Sequence, residues 1–484
     1  MNISAILYVL GSLLVLTGSL MFPSFIVALV YGEGDADAFL LSAFFLIASG
    51  LPICWFFRKS PDLTIKDAFI ILSLGWVLVC SVSTLPLMIH GVLPSFTDSF
   101  FEMMSGFTTT GATVLTDIEA LPHGLLFWRS FTQFLGGMGF ILITILLLPF
   151  MRMGGIALYR IKADSGQKNI QEKLNPLGKG VIVKIWYIYL VLVLFLAVLL
   201  WAGGMSLFDA LCHAFGTLST GGFSTKNASL GHYNSAYFEW LTIIFMFLSG
   251  VSFFLYYHLL EKDWESIKIN TEFRWYFCLI LLFCAIVSLI LWNDNTYSAW
   301  DSIRHGTFQT ISLLTKTGYT SDDYEKWPQS AQMFLFVVFF IGASAGSTAS
   351  GIKMIHYVII LKYLYATLKK MTQPLQVIPI RVNRQRVDSR LVDLAASFFI
   401  LNIVWVFLGG GLMVMLDDMD YFSSICAVTV TLMNIGPGLG EIGPSSSFYY
   451  ISSLGKWFLS FSMLTGRLEI FSVIMLLYPS FWKE

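Results

Sequence analysis

Long apolar runs alternate with short polar connections along this chain. Runs stand out near residues 3–30, 38–57, 67–89, 125–150, 183–204, 237–260, 275–292, 330–368, 394–416 and 450–478. An α-helix needs ~20 apolar residues to cross the hydrocarbon core of a membrane. The pattern therefore predicts an all-α integral membrane protein with ten crossings. The first run is too long for the apolar part of a removable signal, and no Lys or Arg precedes Arg58. It reads as a first membrane helix.

The charges between the runs set the expected orientation, because Lys and Arg prefer the cytoplasmic side. The connection 31–37 carries Glu33, Asp35 and Asp37 and no basic residue, whereas Arg58, Lys59 and Lys66 follow the second run. Arg152, Arg160, Lys162, Lys168, Lys173, Lys179 and Lys184 fall between 151 and 184. Lys369, Lys370, Arg381, Arg384, Arg386 and Arg390 fall between 369 and 390, while 90–122 and 417–449 have no Lys or Arg. The alternation predicts that both termini are cytoplasmic. The basic connections would face anionic lipid or a protein partner.

Four connections on the opposite side are too long and too apolar for ordinary loops. Each has a short helical stretch, a Thr/Gly/Ser run and an extended return: TDSFFEMMSGFTTTGATVL (97–115), FDALCHAFGTLSTGGFST (208–225), WDSIRHGTFQTISLLTKTGYTSDD (300–323) and MDYFSSICAVTVTLMNIGPGLG (419–440). They are internal repeats. Asp98 and Asp209 lie 13 residues before Gly111 and Gly222, and Asp301 and Asp420 lie 17 and 16 before Gly318 and Gly436. The predicted fold is four parallel helix–pore-loop–helix repeats around a pseudo-fourfold axis, preceded by two extra transmembrane helices. The divisions fall at 1–66, 67–160, 161–270, 271–390 and 391–484.

Non-helical backbone at membrane depth must be buried in protein or line a water path. Gly tolerates positive φ and lets carbonyls turn toward one line. Rings of carbonyls can replace the water shell of a monovalent cation. The short helices would aim their negative C-terminal ends at the same line. Against this stands close helix packing through Gly and Thr, which one copy alone would not exclude.

Composition agrees with a lipid-embedded chain. Of the 484 residues, 56% are apolar and 12% are charged, against roughly 25% charged in soluble domains. Lys plus Arg is 29 and Asp plus Glu is 30, so no basic excess points to nucleic acid. Cys54, Cys80, Cys212, Cys278, Cys284 and Cys426 lie in apolar segments and form no CxxC pair. The seven histidines have no metal-ligand spacing.

TTTGAT, TGGFST, KTGYTS and NIGPGLG resemble the four filter segments of the Trk/Ktr/HKT superfamily of potassium transporters. The two leading helices and the ending GRLEIF–YPSFWKE resemble its bacterial Trk-type membrane subunit. The resemblance implies a potassium-translocating subunit of the bacterial inner membrane. It also implies a homodimer and a cytosolic ring of nucleotide-binding regulatory subunits. The transported ion would be K+, with Rb+ as surrogate. The filter would comprise Thr109, Thr110 and Gly111, then Thr220, Gly221 and Gly222, then Lys316, Thr317 and Gly318, then Asn434, Ile435 and Gly436. Potassium would sit at Thr110, Thr220, Thr317 and Asn434.

The third copy departs from the family, which usually has Thr or another small residue in place of Lys316. Its ammonium would either face the inner end of the pore or turn away and pair with an acid such as Glu102 or Asp301. Glu102 and His213 lie nine residues before Gly111 and Gly222 and are expected to support the short helices from behind.

The run IGASAGSTASGIKM (341–354) breaks or loosens a helix. The family has a gating intramembrane loop here, which would involve Gly342, Ser344, Gly346, Ser347, Gly351 and Lys353 within and beside 342–351. Small-residue helix packing is the alternative. Arg467 and Glu469 lie deep in the last apolar run, where charge is costly and a functional candidate. The resemblance places Arg467 beside the ion path below the filter; a salt-bridged or snorkelling residue is the plainer reading. Glu469 would pair with it only with distortion, since i and i+2 face apart. GASAG also matches the G-x-S-x-G nucleophile pattern, with Ser344 as nucleophile and His356 as base, but its strand–turn–helix context is missing. The sequence thus predicts potassium uptake through a gated pore and no enzyme. A potassium symporter coupled to sodium or protons is the alternative within transport.

Overall fold

In this computed structural model, residues 2–58, 65–147, 179–376 and 378–482 are described. Helices α1 (Ile3–Leu20), α2 (Phe22–Tyr31) and α3 (Ala36–Phe57) form the leading pair of spans. They pack through small residues: a Cβ at Gly50 would lie 2.8 Å from the Gly11 carbonyl, and one at Gly18 would lie 3.0 Å from that of Ala43. Such close approach supplies van der Waals contact where lipid offers no hydrophobic drive.

Four helix–short helix–helix units follow. The first comprises α4 (Ile65–Val82) with α5 (Leu85–His90), the short α6 (Phe96–Phe107) and α7 (His123–Leu147). The second comprises α8 (Lys179–Ala202), the short α9 (Leu207–Leu218), α10 (Ala236–Ser249) and α11 (Phe253–Leu260), after which α12 (Trp264–Ile269) leads onward. The third comprises α13 (Thr271–Asn293), the short α14 (Ala299–Leu314), α15 (Gln329–Phe340) and α16 (Met354–Thr372). The fourth comprises α17 (Ser389–Leu416), the short α18 (Tyr421–Leu432), α19 (Ser453–Arg467) and α20 (Ile470–Leu477). The Lys456 ammonium meets Asp98 at 2.7 Å and closes the fourth unit onto the first.

The four acids act where each short helix starts. Ser95, Ser206 and Ser298 accept from the N–H groups of Asp98, Asp209 and Asp301. In α18 Asp420 is itself the cap, accepting from Phe422 and Ser423. Side-chain caps satisfy free N–H groups, and the acids complement the positive helix end.

The second long helix is broken in three of the four units. α10 and α11 meet at 87°, and α19 and α20 at 114°, while residues 341–353 separate α15 from α16. Only the last of these breaks was expected from sequence. The other two occupy two or three residues and leave the apolar run intact; Glu469 turns the chain with φ 58°. Among the described residues six helices are long and apolar enough to cross a membrane, and the two bent pairs raise the number to eight. Ten were expected. The run 125–150 is described as helix only to Leu147, and the run 330–368 is interrupted after Phe340.

Between the third and fourth units a short hairpin pairs Arg381–Val382 (β1) with Gln385–Arg386 (β2). These are the only strands among the described residues, and they were not expected. Asn383 and Arg384 turn it with φ 50° and 63°. Asn383 docks on the start of α13 through reciprocal bonds with Thr271, 2.8 and 3.1 Å. Of the expected basic connections, residues 151–178 and Lys59 lie outside the described residues, as does the division at 160.

Gly50→Leu should push α1 and α3 apart at a cost of about 1–3 kcal/mol, typical of overpacking. The expected result is a lower melting temperature in detergent. Gly411→Ala, where no atom lies within 4 Å of the new Cβ, should show no loss.

Candidate functional site

Beyond each short helix the backbone takes the same course four times. Thr109, Thr220, Lys316 and Asn434 have φ of 53°, 57°, 67° and 52°. Two residues later Gly111, Gly222, Gly318 and Gly436 have φ of 86°, 75°, 75° and 98°. A left-handed residue with a Cβ costs roughly 1–2 kcal/mol, so the pattern marks a conformation that the surroundings impose. One bond recurs as well: the N–H groups of Thr110, Gly221, Thr317 and Ile435 donate to the carbonyls five residues earlier, at 2.8, 2.8, 2.9 and 2.9 Å.

The four segments abut in a closed ring. A Cβ on Gly111 would overlap the Gly221 carbonyl oxygen, one on Gly222 that of Thr317, and one on Gly318 that of Ile435. One on Gly436 would lie 2.9 Å from the Thr110 carbonyl, returning to the first unit. All four glycines border a single cavity of about 80 Å3.

Polar side chains hold the ring from behind. The Glu102 carboxylate accepts from Arg129 at 2.8 Å, Thr113 at 3.0 Å and the Val114 N–H at 3.0 Å. The His213 ring bridges the Asp209 carbonyl (2.7 Å) and Ser224 (2.9 Å). Gln133, on α7, donates to the Gly221 carbonyl at 2.7 Å and accepts from the Phe223 N–H at 3.0 Å. Asn434 donates to Thr110 Oγ1 at 2.9 Å and to the Met463 carbonyl at 3.0 Å. Lys316 runs away from the ring. Its fully buried ammonium donates to the carbonyls of Phe339 (2.5 Å) and Val338 (3.4 Å) at the end of α15. Neither expected acid receives it: Glu102 is held by Arg129, and Asp301 meets Arg304 at 3.1 Å.

Residues 341–353 lie against the base of the ring. A Cβ on Gly351 would lie 3.3 Å from Met433 Sδ and 3.4 Å from Lys316 Cε. Thr348 donates to the carbonyls of Leu218 (3.0 Å) and Ser249 (3.3 Å). The ends of the loop are zipped, Gly342 N–H to the Ile352 carbonyl and Met354 N–H to that of Ala343, both at 3.0 Å. The carboxylate of Glu272, on α13, accepts from the N–H groups of Ala345 and Ile355 at 2.7 and 3.2 Å. The loop also threads the break in the second unit: Ser344 N–H donates to the Gly250 carbonyl and Phe253 N–H to that of Gly346.

Arg467 clamps the loop to α7. It donates to the Thr348 carbonyl (3.0 Å), Ser350 Oγ (2.6 Å) and the Gly136 carbonyl (2.9 Å). None of these three is Glu469, the partner considered from sequence. Lys353 donates to the Ala349 carbonyl and lies within electrostatic reach of Glu469 and Glu272. Ser347 Oγ donates to the Ser344 carbonyl at 2.6 Å. Ser344 Oγ has no hydrogen-bond partner among the described residues, and the His356 ring stacks on Phe398 with centroids 4.9 Å apart. The structure does not join them as nucleophile and base.

On the mouth side, burial works against the charge of Asp322. Hydrogen bonds from Tyr297 and Trp327 nevertheless hold its carboxyl below the usual carboxylate range. Asn227, in the sequence Asn-Ala-Ser, ties the returns of the first two units together through Ile118 N–H, Glu119 and Asp117.

Arg129, Gln133 and Glu272 escaped the sequence reading. Their signal was a polar side chain within or at the end of an apolar run, which is a functional candidate by default.

Residues 36–483 match the TrkH family model, described as a cation transport protein. The chain is 35% identical over 492 residues to the Trk system potassium uptake protein TrkH of Escherichia coli strain K12, with all of both chains covered. It is 36% identical over 491 residues to that of Vibrio parahaemolyticus, again over all of both. The crystal structure of the potassium transporter TrkH from Vibrio parahaemolyticus matches with a TM-score of 0.88 at 32% identity and covers 100% of each chain.

Arg129→Met should leave the buried Glu102 carboxylate without its cation, a change that costs about 3–5 kcal/mol when a buried pair is broken. A fall in melting temperature is expected. Glu102→Gln combined with Arg129→Met should recover part of it.

Proposed function

The chain belongs to the TrkH family of cation transport proteins, and on that premise we propose that it takes up potassium through the ring of four segments. It is a multi-pass membrane protein of a potassium transport family, not an enzyme. We assign it to the bacterial inner membrane, with both termini cytoplasmic. A homodimer and a cytosolic nucleotide-binding regulatory ring complete the proposed assembly.

In this reading the carbonyl oxygens of residues 109–111, 220–222, 316–318 and 434–436 replace the water of a dehydrating K+ ion. The observation that carries the reading is the closed sequence of glycine–carbonyl contacts from each unit to the next. The loop 341–353, pinned by Arg467 under the ring, is the gate. A channel-like pore is favoured over a symporter. Transporters place ionisable coupling groups around a midplane site, whereas among the described residues the charged ones bordering the cavity are the cations Arg129 and Lys226.

Rubidium uptake into liposomes, with potassium or sodium as competitor, tests this. Wild type should show saturable uptake that potassium suppresses far better than sodium. Gly222→Ala and Gly318→Ala should lower uptake about tenfold or more, since strain of roughly 1–2 kcal/mol adds to the carbonyl overlap. Arg467→Ala should raise uptake by freeing the loop, and Ser344→Ala should leave it near wild type. Wild-type protein that discriminates neither ion, with the regulatory ring added, would sink the proposal.

A further inference from the structure

We propose that Lys316 is a positioning residue that couples the third filter segment to the loop 341–353, so that ion occupancy of the ring and the position of the loop govern each other. The inference rests on the potassium-filter reading above and adds a specific route between its two parts.

Three features of one residue make the route. The Lys316 backbone is part of the ring and is held left-handed, φ 67°. Its methylene stem passes the loop at Gly351, where a Cβ would sit 3.4 Å from Cε. Its ammonium ends on Phe339 and Val338, the last turn of α15 directly before the loop begins. One residue therefore belongs to the filter, runs beside Gly351 at the far end of the loop, and bonds the helix that leads into it.

The chemistry makes this contact demanding. No carboxylate within salt-bridge distance neutralises the ammonium among the described residues. What holds it is the negative end of α15, whose terminal carbonyls lack partners within the helix. Moving the end of α15, which the loop directly follows, would strip a buried charge of its acceptors, which is costly. The counterparts of Lys316 make shorter connections: Thr220 bonds the Ser219 carbonyl beside it, and Thr109 Oγ1 has no hydrogen-bond partner among the described residues. Asn434 reaches the Met463 carbonyl, near the break after α19. The third segment alone carries a charged tether to the loop.

Coupling between two sites is reciprocal, so potassium at the ring should quieten the loop. Hydrogen–deuterium exchange on the full-length protein in nanodiscs, in potassium chloride against choline chloride, reads both segments. In wild type and Lys316→Arg, potassium should slow exchange in 312–320 and in 341–355. In Lys316→Met, potassium should still slow 312–320 and no longer slow 341–355. Gly351→Ala, which keeps the lysine, sets a methyl against its stem and strains the loop at a left-handed position (φ 76°), should weaken the loop response and guards against a Lys316→Met protein that fails to fold. Potassium slowing of the loop in Lys316→Met equal to wild type would overturn the coupling and leave the filter reading intact. Potassium slowing of neither segment in wild type would overturn the filter reading and the coupling with it.

Discussion

A peptide group that leaves a helix inside a membrane needs a new hydrogen-bond partner, because the surrounding lipid offers none. This chain leaves its helices repeatedly, at the four segments of the ring, at two sharp breaks and along residues 341–353. The polar side chains of the interior are arranged around that requirement. Gln133 serves the second segment of the ring, Glu102 the first, and Glu272 two N–H groups of the loop. Arg467 and Lys316 serve carbonyls left over where helices or loops end. Buried charges that look isolated along the sequence are donors and acceptors for exposed backbone.

The same requirement explains why Arg467 and Lys316, unlike Arg129, go to backbone and hydroxyl oxygens. Arg467 is drawn to three oxygens from two different units, and Glu469 is carried away from it by a left-handed turn. Glu272 faces amides on both sides of the loop, one residue from Thr271, which grips the hairpin tip. The loop is thereby connected both to the ring above it and, through the start of α13, to a basic hairpin.

The sequence made the repeated parts legible and hid the singular ones. Gly111, Gly222, Gly318 and Gly436 could be found because four copies at matched places exclude accident. The acids at the starts of the short helices, Asp98, Asp209, Asp301 and Asp420, were found through their places before these glycines. The breaks at 250–252 and 468–469 were missed because apolarity, which identifies a span, does not change across two or three residues. Arg129, Gln133 and Glu272 were missed because their partners lie 27, 88 and 73 positions away, and only the rotation of packed helices brings them together. The destination of Lys316 was hidden for a related reason: an acid can be sought in a sequence, but a helix-end carbonyl belongs to every residue type.

The ring's linkage also says which positions are free to diverge after a repeat has been duplicated. Each joint uses the missing side chain of a glycine and the main-chain oxygen of the residue before the next glycine. The glycine side of a joint therefore tolerates no substitution, while the oxygen side is indifferent to residue type. Thr110, Gly221, Thr317 and Ile435 have little in common chemically, yet they make equivalent joints. Four copies can drift apart in everything but one atom's absence and still close. For the same reason none of them is a spare, since every joint is shared by two units and damage to one copy is felt by its neighbour.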